Sequence, residues 1–150
     1  MKLSIRPATT ADLPAMMALE KHAATAAHWS AEQYEALFRA SDPARVALIM
    51  QEVASFQGFV IARVVGEEWE IENIAIAGPA RRRGLGARLL GELLDLARAQ
   101  GATAILLEVR ESNHAARALY EKWAFLESGR RPRYYEDPHE DAILYRLGFV

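Results

Sequence analysis

Hydrophobic and polar positions alternate at the start of the chain, with Leu3 and Ile5 set against Lys2, Ser4 and Arg6, and this predicts a half-buried strand over 2–6 that Pro7 ends. Thr9 or Thr10 suits a helix N-cap, Asp12 sits near the positive end, and Pro14 fits the first turn of a helix reaching about Ala24. Leu13, Met16 and Met17 mark its apolar face. Ser30 caps a second predicted helix over 31–40 that buries Tyr34, Leu37 and Phe38, and Ser41-Asp42-Pro43 closes the pair. Three strand patterns follow, Arg45–Val53, Gly58–Val65 and Trp69–Ile76, the last two close enough for a hairpin. Periodicity then changes from two to 3.6. Leu85, Leu89, Leu90, Leu93, Leu94 and Ala97 make one broad helical face, and Gly101 stands where a C′ residue belongs. A nearly apolar run, Thr103–Arg110, predicts a central strand covered on both faces, interrupted only by Glu108. Ser112 or Asn113 caps a short helix whose Ala116, Leu119, Tyr120 and Trp123 share a face, and two strands flanking the polar loop 134–142 complete the chain.

Composition narrows the possibilities. The 150 residues, 51% hydrophobic and 25% charged, suit one soluble globular domain spanning 1–150. A net charge of −2 argues against direct nucleic-acid binding; Arg130, Arg131 and Arg133 beside Tyr134 and Tyr135 read first as a solvated strand edge. There is no cysteine, which excludes disulfides and thiol catalysis. The four histidines lack metal-ligand spacing, so no metal is expected, and there is no Gly-x-Ser-x-Gly elbow for a serine nucleophile. No segment approaches the ~20 apolar residues that span a bilayer, and no signal peptide opens the chain, so a cytoplasmic protein with no membrane partner is expected, a monomer or weak dimer.

Chemistry concentrates where the third strand pattern gives way to the long helix, in ENIAIAGPARRRGLG, residues 72–86. A strand, a glycine-bearing loop and a helix N-terminus together offer main-chain N–H groups and a positive dipole end to an anion. Two nucleotide loops fail here. The Gly-Lys-Ser/Thr ending of a Walker A loop is replaced by Gly84-Leu85-Gly86-Ala87, and Leu89 stands where a dinucleotide fingerprint needs its third glycine. What remains is Arg81-x-x-Gly84-x-Gly86 between strand and helix.

That pattern, in that setting, resembles the coenzyme A pyrophosphate site of the GNAT N-acetyltransferase superfamily, and the order of elements follows its fold throughout. The resemblance implies an α/β (α+β) architecture: a single mixed sheet of about six or seven strands with about four helices, splayed between the fourth and fifth strands. It further implies acetyl-CoA as co-substrate. Ile74, Ala75 and Ile76 would meet the pantetheine arm, and the loop Arg81, Arg82, Arg83, Gly84, Leu85, Gly86 and Ala87 the pyrophosphate.

A more specific match lies in LLEVRESNHAARALYEKWAF, residues 106–125, with Arg130-Arg131, Tyr134-Tyr135 and Glu140-Asp141-Ala142-Ile143 beyond it. This run is similar to RimI-type enzymes, GNAT members that acetylate the N-terminal alanine of a ribosomal protein. A carboxylate within an apolar strand must be paired, hydrated or functional, so Glu108 is either in a structural salt bridge, to Arg110 or Arg63, or a general base. An α-amine, with a pKa near ~8, needs only a modest base. Tyr120 is either plain core or a proton donor to a leaving thiolate. The resemblance assigns those catalytic roles to Glu108 and Tyr120 and a coenzyme A contact to Asn113, while Trp29, Tyr134 and Tyr135 would border the acceptor. The acceptor is then a protein N-terminus; a small-molecule amine or a non-catalytic acyl-CoA-binding module are the alternatives. The sequence departs from the RimI type at two points: Ala26-Ala27-His28 lacks a proline before Trp29-Ser30, and Trp123-Ala124-Phe125 replaces a Leu-Gly-Phe turn.

Overall fold

The computed structural model describes residues 3–21, 29–39, 44–78, 84–136 and 139–149. Strand β1 (Leu3–Pro7) leads through a 3-10 turn (Thr10–Asp12) into α1 (Leu13–Lys21) and α2 (Ala31–Ala36). The hairpin strands β2 (Ala44–Glu52), β3 (Ser55–Val65) and β4 (Glu68–Ile76) follow, then α3 (Leu85–Ala99), β5 (Ala104–Arg110), α4 (His114–Lys122), β6 (Leu126–Tyr135) and β7 (Glu140–Gly148). All seven strands form one mixed sheet in the order β1-β2-β3-β4-β5-β7-β6, flanked among the described residues by four α-helices.

Local chemistry explains most boundaries. Thr9 forms a capping box with Asp12, and Ser30 one with Gln33. Asp12 also takes a two-pronged contact from Arg6, at 2.8 Å to each oxygen, which pins the start of α1 to β1. Gly101 takes φ +86 beyond α3, and Ala102 N–H returns to Ala97 C=O at 2.9 Å. The predicted α3 face is buried as read. The second helix is shorter than the sequence pattern suggests, ending at Ala36 rather than 40, and Phe38 is 37% exposed instead of buried. Trp123 likewise stays 37% exposed, although its ring lies over Gly91 of α3.

Two apolar clusters sandwich the sheet. One joins Trp69, Ile71, Leu89, Leu90, Leu93 and Tyr120 on the α3–α4 side, and the other joins Met16, Tyr34, Ile49, Phe59, Ile61 and Ala75 on the α1–α2 side. β5 lies centrally as expected but is not fully covered on both faces: from Leu106 onward buried and half-buried residues alternate, and Glu108 is on the open side.

β4 holds the feature that shapes the site. Its pairing with β3 passes from Ile61↔Asn73 to Ala62↔Ile71, so Glu72 is an extra, bulged residue. The bulge exchanges faces. Trp69 and Ile71 point into the α3–α4 cluster, but beyond Glu72 it is Ile74 and Ile76 that do so, while Ala75 turns to the other side. β4 and β5 are parallel and pair only over Glu68–Ile71 and Ala104–Leu107; past that point the strands part.

Candidate active site

The parted strands open a cleft of about 1000 Å³. One wall is the post-bulge half of β4. Ala77 N–H donates to Gln57 C=O at 2.8 Å, which makes Gly58↔Ile76 a non-hydrogen-bonded pair. By alternation the main-chain N–H and C=O of Ile74 and Ile76 are directed away from β3 and toward the gap, as a ligand lying along the strand requires. Gly58 allows the close approach behind this wall: a Cβ there would lie 2.7 Å from Ala75 O.

The floor is the start of α3. Gly84, at φ +73, is the N-cap and has no side chain to accept from the first-turn N–H groups, and Gly84, Gly86 and Ala87 line the cleft. Leu85 is instead buried in the core. Arg81, Arg82 and Arg83 lie outside the described residues.

The opposite wall comes from β5, α4 and the β6–β7 hairpin. Glu108, Asn113 and Tyr120 all line the cleft, as do Ile74, Ala75 and Ile76 across from them. Asn113 caps α4 by accepting from Ala116 N–H at 3.1 Å. Glu108 is paired, but to neither arginine expected: Arg110 bonds Glu140, Arg63 bonds Glu70, and it is Arg131 on β6 whose Nε lies 2.8 Å from Glu108 Oε1. β7 lies between β5 and β6, so Arg131 meets Glu108 from a strand two places away, at the point where the β6–β7 register shifts.

Tyr120 is buried, its ring 5.6 Å from Phe125 and 6.2 Å from Tyr145. Burial, with a smaller contribution from Tyr135, raises its pKa and keeps it a neutral phenol. Tyr135 is pushed up to about 12, by burial first and then by the negative charge of Glu108. Tyr134 stacks edge-on against Tyr135 at 5.2 Å, and both reach the cleft, as does Trp29 from the far side.

One buried polar cluster beside the cleft escaped the sequence reading. Glu20 of α1, 4% exposed, accepts from Trp29 N–H at 2.6 Å and from Asn73 Nδ2 at 3.0 Å. The Tyr34 hydroxyl joins the same network, bonded to Glu20 and accepting from Asn73 at 3.2 Å. It ties the Trp29 segment to β4 directly behind the cleft. The only signal was Asn73 amid apolar neighbours in ENIAIA, and a bulge whose position periodicity does not locate leaves its side-chain direction unknown.

Among the described residues no group of histidine, aspartate and glutamate is arranged to hold a metal, and no helix is long and apolar enough to cross a membrane.

The sequence pattern of the Acetyltransferase (GNAT) family matches residues 13–125. The [ribosomal protein bS18]-alanine N-acetyltransferase of Salmonella typhimurium is 38% identical over 141 residues, covering 93% of each chain. Its counterpart in Escherichia coli K12 is 38% identical over 142 residues, covering 92% of each. The crystal structure of the ribosomal-protein-S18-alanine N-acetyltransferase from Escherichia coli superposes with a TM-score of 0.87 at 33% identity, covering 98% of this chain and 94% of that one. A bulged strand parting from its parallel neighbour over a glycine-capped helix, with this extent of sequence agreement, places the chain in the GNAT family of acetyltransferases, as an N-acetyltransferase.

Proposed function

We propose that this acetyltransferase uses acetyl-CoA to acetylate the N-terminal α-amine of a protein, with the N-terminal alanine of a ribosomal protein as the first acceptor to test. One observation carries the chemistry: Glu108, Tyr120 and the main chain of Ile74–Ile76 face the same cleft. The acceptor class is inferred from relatives that agree with this chain over more than nine-tenths of its length and carry that activity in their names.

The cleft suits an extended thioester ligand. Its post-bulge wall presents main-chain groups on the open side, and its floor is a helix N-terminus with no side-chain cap, so Ile74–Ile76 would hold the pantetheine and Gly84–Ala87, with Arg81–Arg83, the pyrophosphate. Bound acetyl-CoA would supply an acetyl carbonyl on a good leaving group. Glu108 takes a proton from the acceptor ammonium, directly or through water, and releases a nucleophilic amine. The main chain of Ile74 and Ile76 polarises the carbonyl under attack. Tyr120, kept protonated by burial, donates to sulfur as the thiolate departs. With no cysteine in the chain, direct attack by the amine replaces a thiol acyl-enzyme. Asn113, at the α4 N-terminus, contacts the coenzyme, and Trp29, Tyr134 and Tyr135 border the acceptor. No step needs a metal or a membrane, and a ribosomal-protein acceptor would put the reaction in the cytoplasm.

The test is mass spectrometry of products after incubation with acetyl-CoA and a panel of peptides with different N-termini, polyamines and amino acids. Acetylation at the α-amine of alanine-initiated peptides is expected. Acetylation confined to small amines would replace the protein acceptor with a small-molecule one.

A further inference from the structure

The guanidinium on Glu108 belongs to the β6–β7 hairpin and to no part of the coenzyme's wall. Arg131 makes its one ion pair among the described residues there, Nε to Oε1 at 2.8 Å, and its guanidinium lies 5.5 Å from the Tyr134 ring centre. Its neighbour Arg130, by contrast, bridges two carboxylates, Glu111 at 2.6 Å and Asp141 at 2.8 Å. The hairpin is irregular at this point. Pairing jumps from Arg131↔Ala142 to Tyr135↔Glu140, and the slack is taken up by Pro132, Arg133 and Tyr134. Arg133 takes φ +52, a left-handed conformation rare for non-glycine residues, and its N–H is fastened to Asp141 at 2.9 Å. The bulge is therefore anchored by Arg130 and Asp141, and Arg131 reaches from it to the carboxylate.

Two magnitudes matter. The Arg131 side chain is 56% exposed and that of Glu108 25%, so the pair is partly solvated and worth little, about 1 kcal/mol or less. A cation arriving in the cleft with a comparable charge replaces it readily. A neutral water molecule does not, since it brings no charge to replace the guanidinium's attraction for the carboxylate.

We propose that Arg131 is a specificity-determining residue that occupies Glu108 until a cationic acceptor amine takes its place, so that the base is offered to amines and withheld from water. The inference rests on Glu108 acting as the base in the reading above. Its consequence is protection of the thioester. Without acceptor, hydrolysis would require water oxygen to bond to the acetyl carbon and the C–S bond to break, with one water proton taken up by Glu108 and passed to solvent, Tyr120 protonating the departing sulfur and recovering its proton from the other, giving acetate, free thiol and one released proton. Arg131, by occupying Glu108 most of the time, slows the step assigned to it.

The experiment measures release of coenzyme A thiol from acetyl-CoA with and without an alanine-initiated peptide, for the wild-type chain, Arg131→Gln and Arg131→Lys. Arg131→Gln should raise acceptor-free release about fivefold and lower the peptide KM by a similar factor, the ratio corresponding to a pair of about 1 kcal/mol. Arg131→Lys, which keeps the charge, should restore low hydrolysis. The rise should vanish in a Glu108→Gln, Arg131→Gln double variant. Arg131→Ala, read in the same way, decides the matter if the Gln variant does not bind coenzyme A. Wild-type acetylation of the peptide with unchanged hydrolysis and KM on removing the charge would overturn this inference alone; a wild-type chain that acetylates no peptide or other α-amine would overturn the reading beneath it as well.

Discussion

The two walls of the cleft are built on different physical plans. The β4 wall presents main chain, directed by one bulge at Glu72 and backed by buried neutral and charged groups (Asn73, Tyr34 and Glu20) that bond to one another. The opposite wall presents side chains, and its hairpin is held by partly exposed ion pairs: Arg130 with Glu111 and Asp141, Arg110 with Glu140, Arg131 with Glu108. A ligand gripped by backbone is recognised by strand geometry almost regardless of residue type. Chemistry on a proton depends on which functional group projects into the gap. The first wall is therefore suited to a constant co-substrate, and the second to proton transfer and acceptor choice.

The largest effects should come from removing that chemistry while leaving the β4 wall intact. Tyr120→Phe and Glu108→Gln are each expected to lower turnover roughly a hundredfold or more, with coenzyme A affinity nearly unchanged by calorimetry. Turnover that stays at the wild-type level in either variant removes that residue from the mechanism. Gly58→Ala should do the reverse. A Cβ 2.7 Å from Ala75 O and 2.8 Å from Ile76 Cδ1 pushes on the post-bulge strand from behind, at a cost of about 1–3 kcal/mol in stability. Weaker coenzyme A binding should accompany it, so unaltered binding and melting would mean that the strand gives way easily and that its backbone is not a fixed template.

These two walls also differ in how far the sequence discloses them. Glu108 and Tyr120 were legible because their residue types are unusual for a central strand and suggestive on a helix face, and the LEVRESN segment has a specific family likeness. The order of strands and helices followed from periodicity and that likeness together, and the splay from the likeness alone. A bulge in this strand is implied by the family likeness, but its position at Glu72 was not legible: β4 reads as strict buried and half-buried alternation from Glu68 to Ile76, and the extra residue merely exchanges which face is which. The Glu108 partner was misjudged because Arg110 is near in sequence, whereas Arg131 arrives through a register jump in a strand two places away in the sheet. Phe38 was expected inside because helical spacing was extended past Ala36, where the helix stops. The Glu20 network joins residues up to 53 apart, a pairing no local pattern encodes.

Acidification separates the walls by stability rather than rate. Asp12, at the start of the helix that carries Glu20, is held down to about 2, chiefly by its hydrogen bond from Arg6. A carboxylate with a depressed folded pKa stabilises above its ordinary unfolded value and loses that contribution as pH falls from about 4 through about 2. Asp12→Asn should thus cost about 2 kcal/mol at neutral pH, and the gap from wild type should close over that acid window in denaturant titrations. Glu140 and Asp141, on the hairpin, are also lowered, Glu140 first by its hydrogen bond with Ser112 and Asp141 first by the Arg133 N–H; both are half-buried, and the Arg130–Asp141 pair is more open to solvent and salt than Arg6–Asp12. High salt should therefore leave the Asp12→Asn gap largely in place; a gap that disappears with salt would mean that the β1–α1 pair belongs with the hairpin's exposed pairs.

The smallest expected change tests whether strain on the side-chain wall is functional. Ala124 follows α4 at φ +71, in the turn where RimI-type sequences place glycine, and Phe125 N–H returns to Tyr120 C=O at 3.0 Å across it. An L-residue in that conformation costs about 1–2 kcal/mol, partly offset by the greater chain entropy that glycine has when unfolded. Ala124→Gly should therefore stabilise by about 1 kcal/mol or less, visible as a rise of a few degrees at most in Tm. Because the hydrogen bond that closes the turn uses only backbone, Tyr120 should keep its place and turnover should not change. A stabilised variant with reduced kcat would show instead that the strained turn sets the position of the phenol, and the side-chain wall would then depend on backbone as closely as the wall it faces.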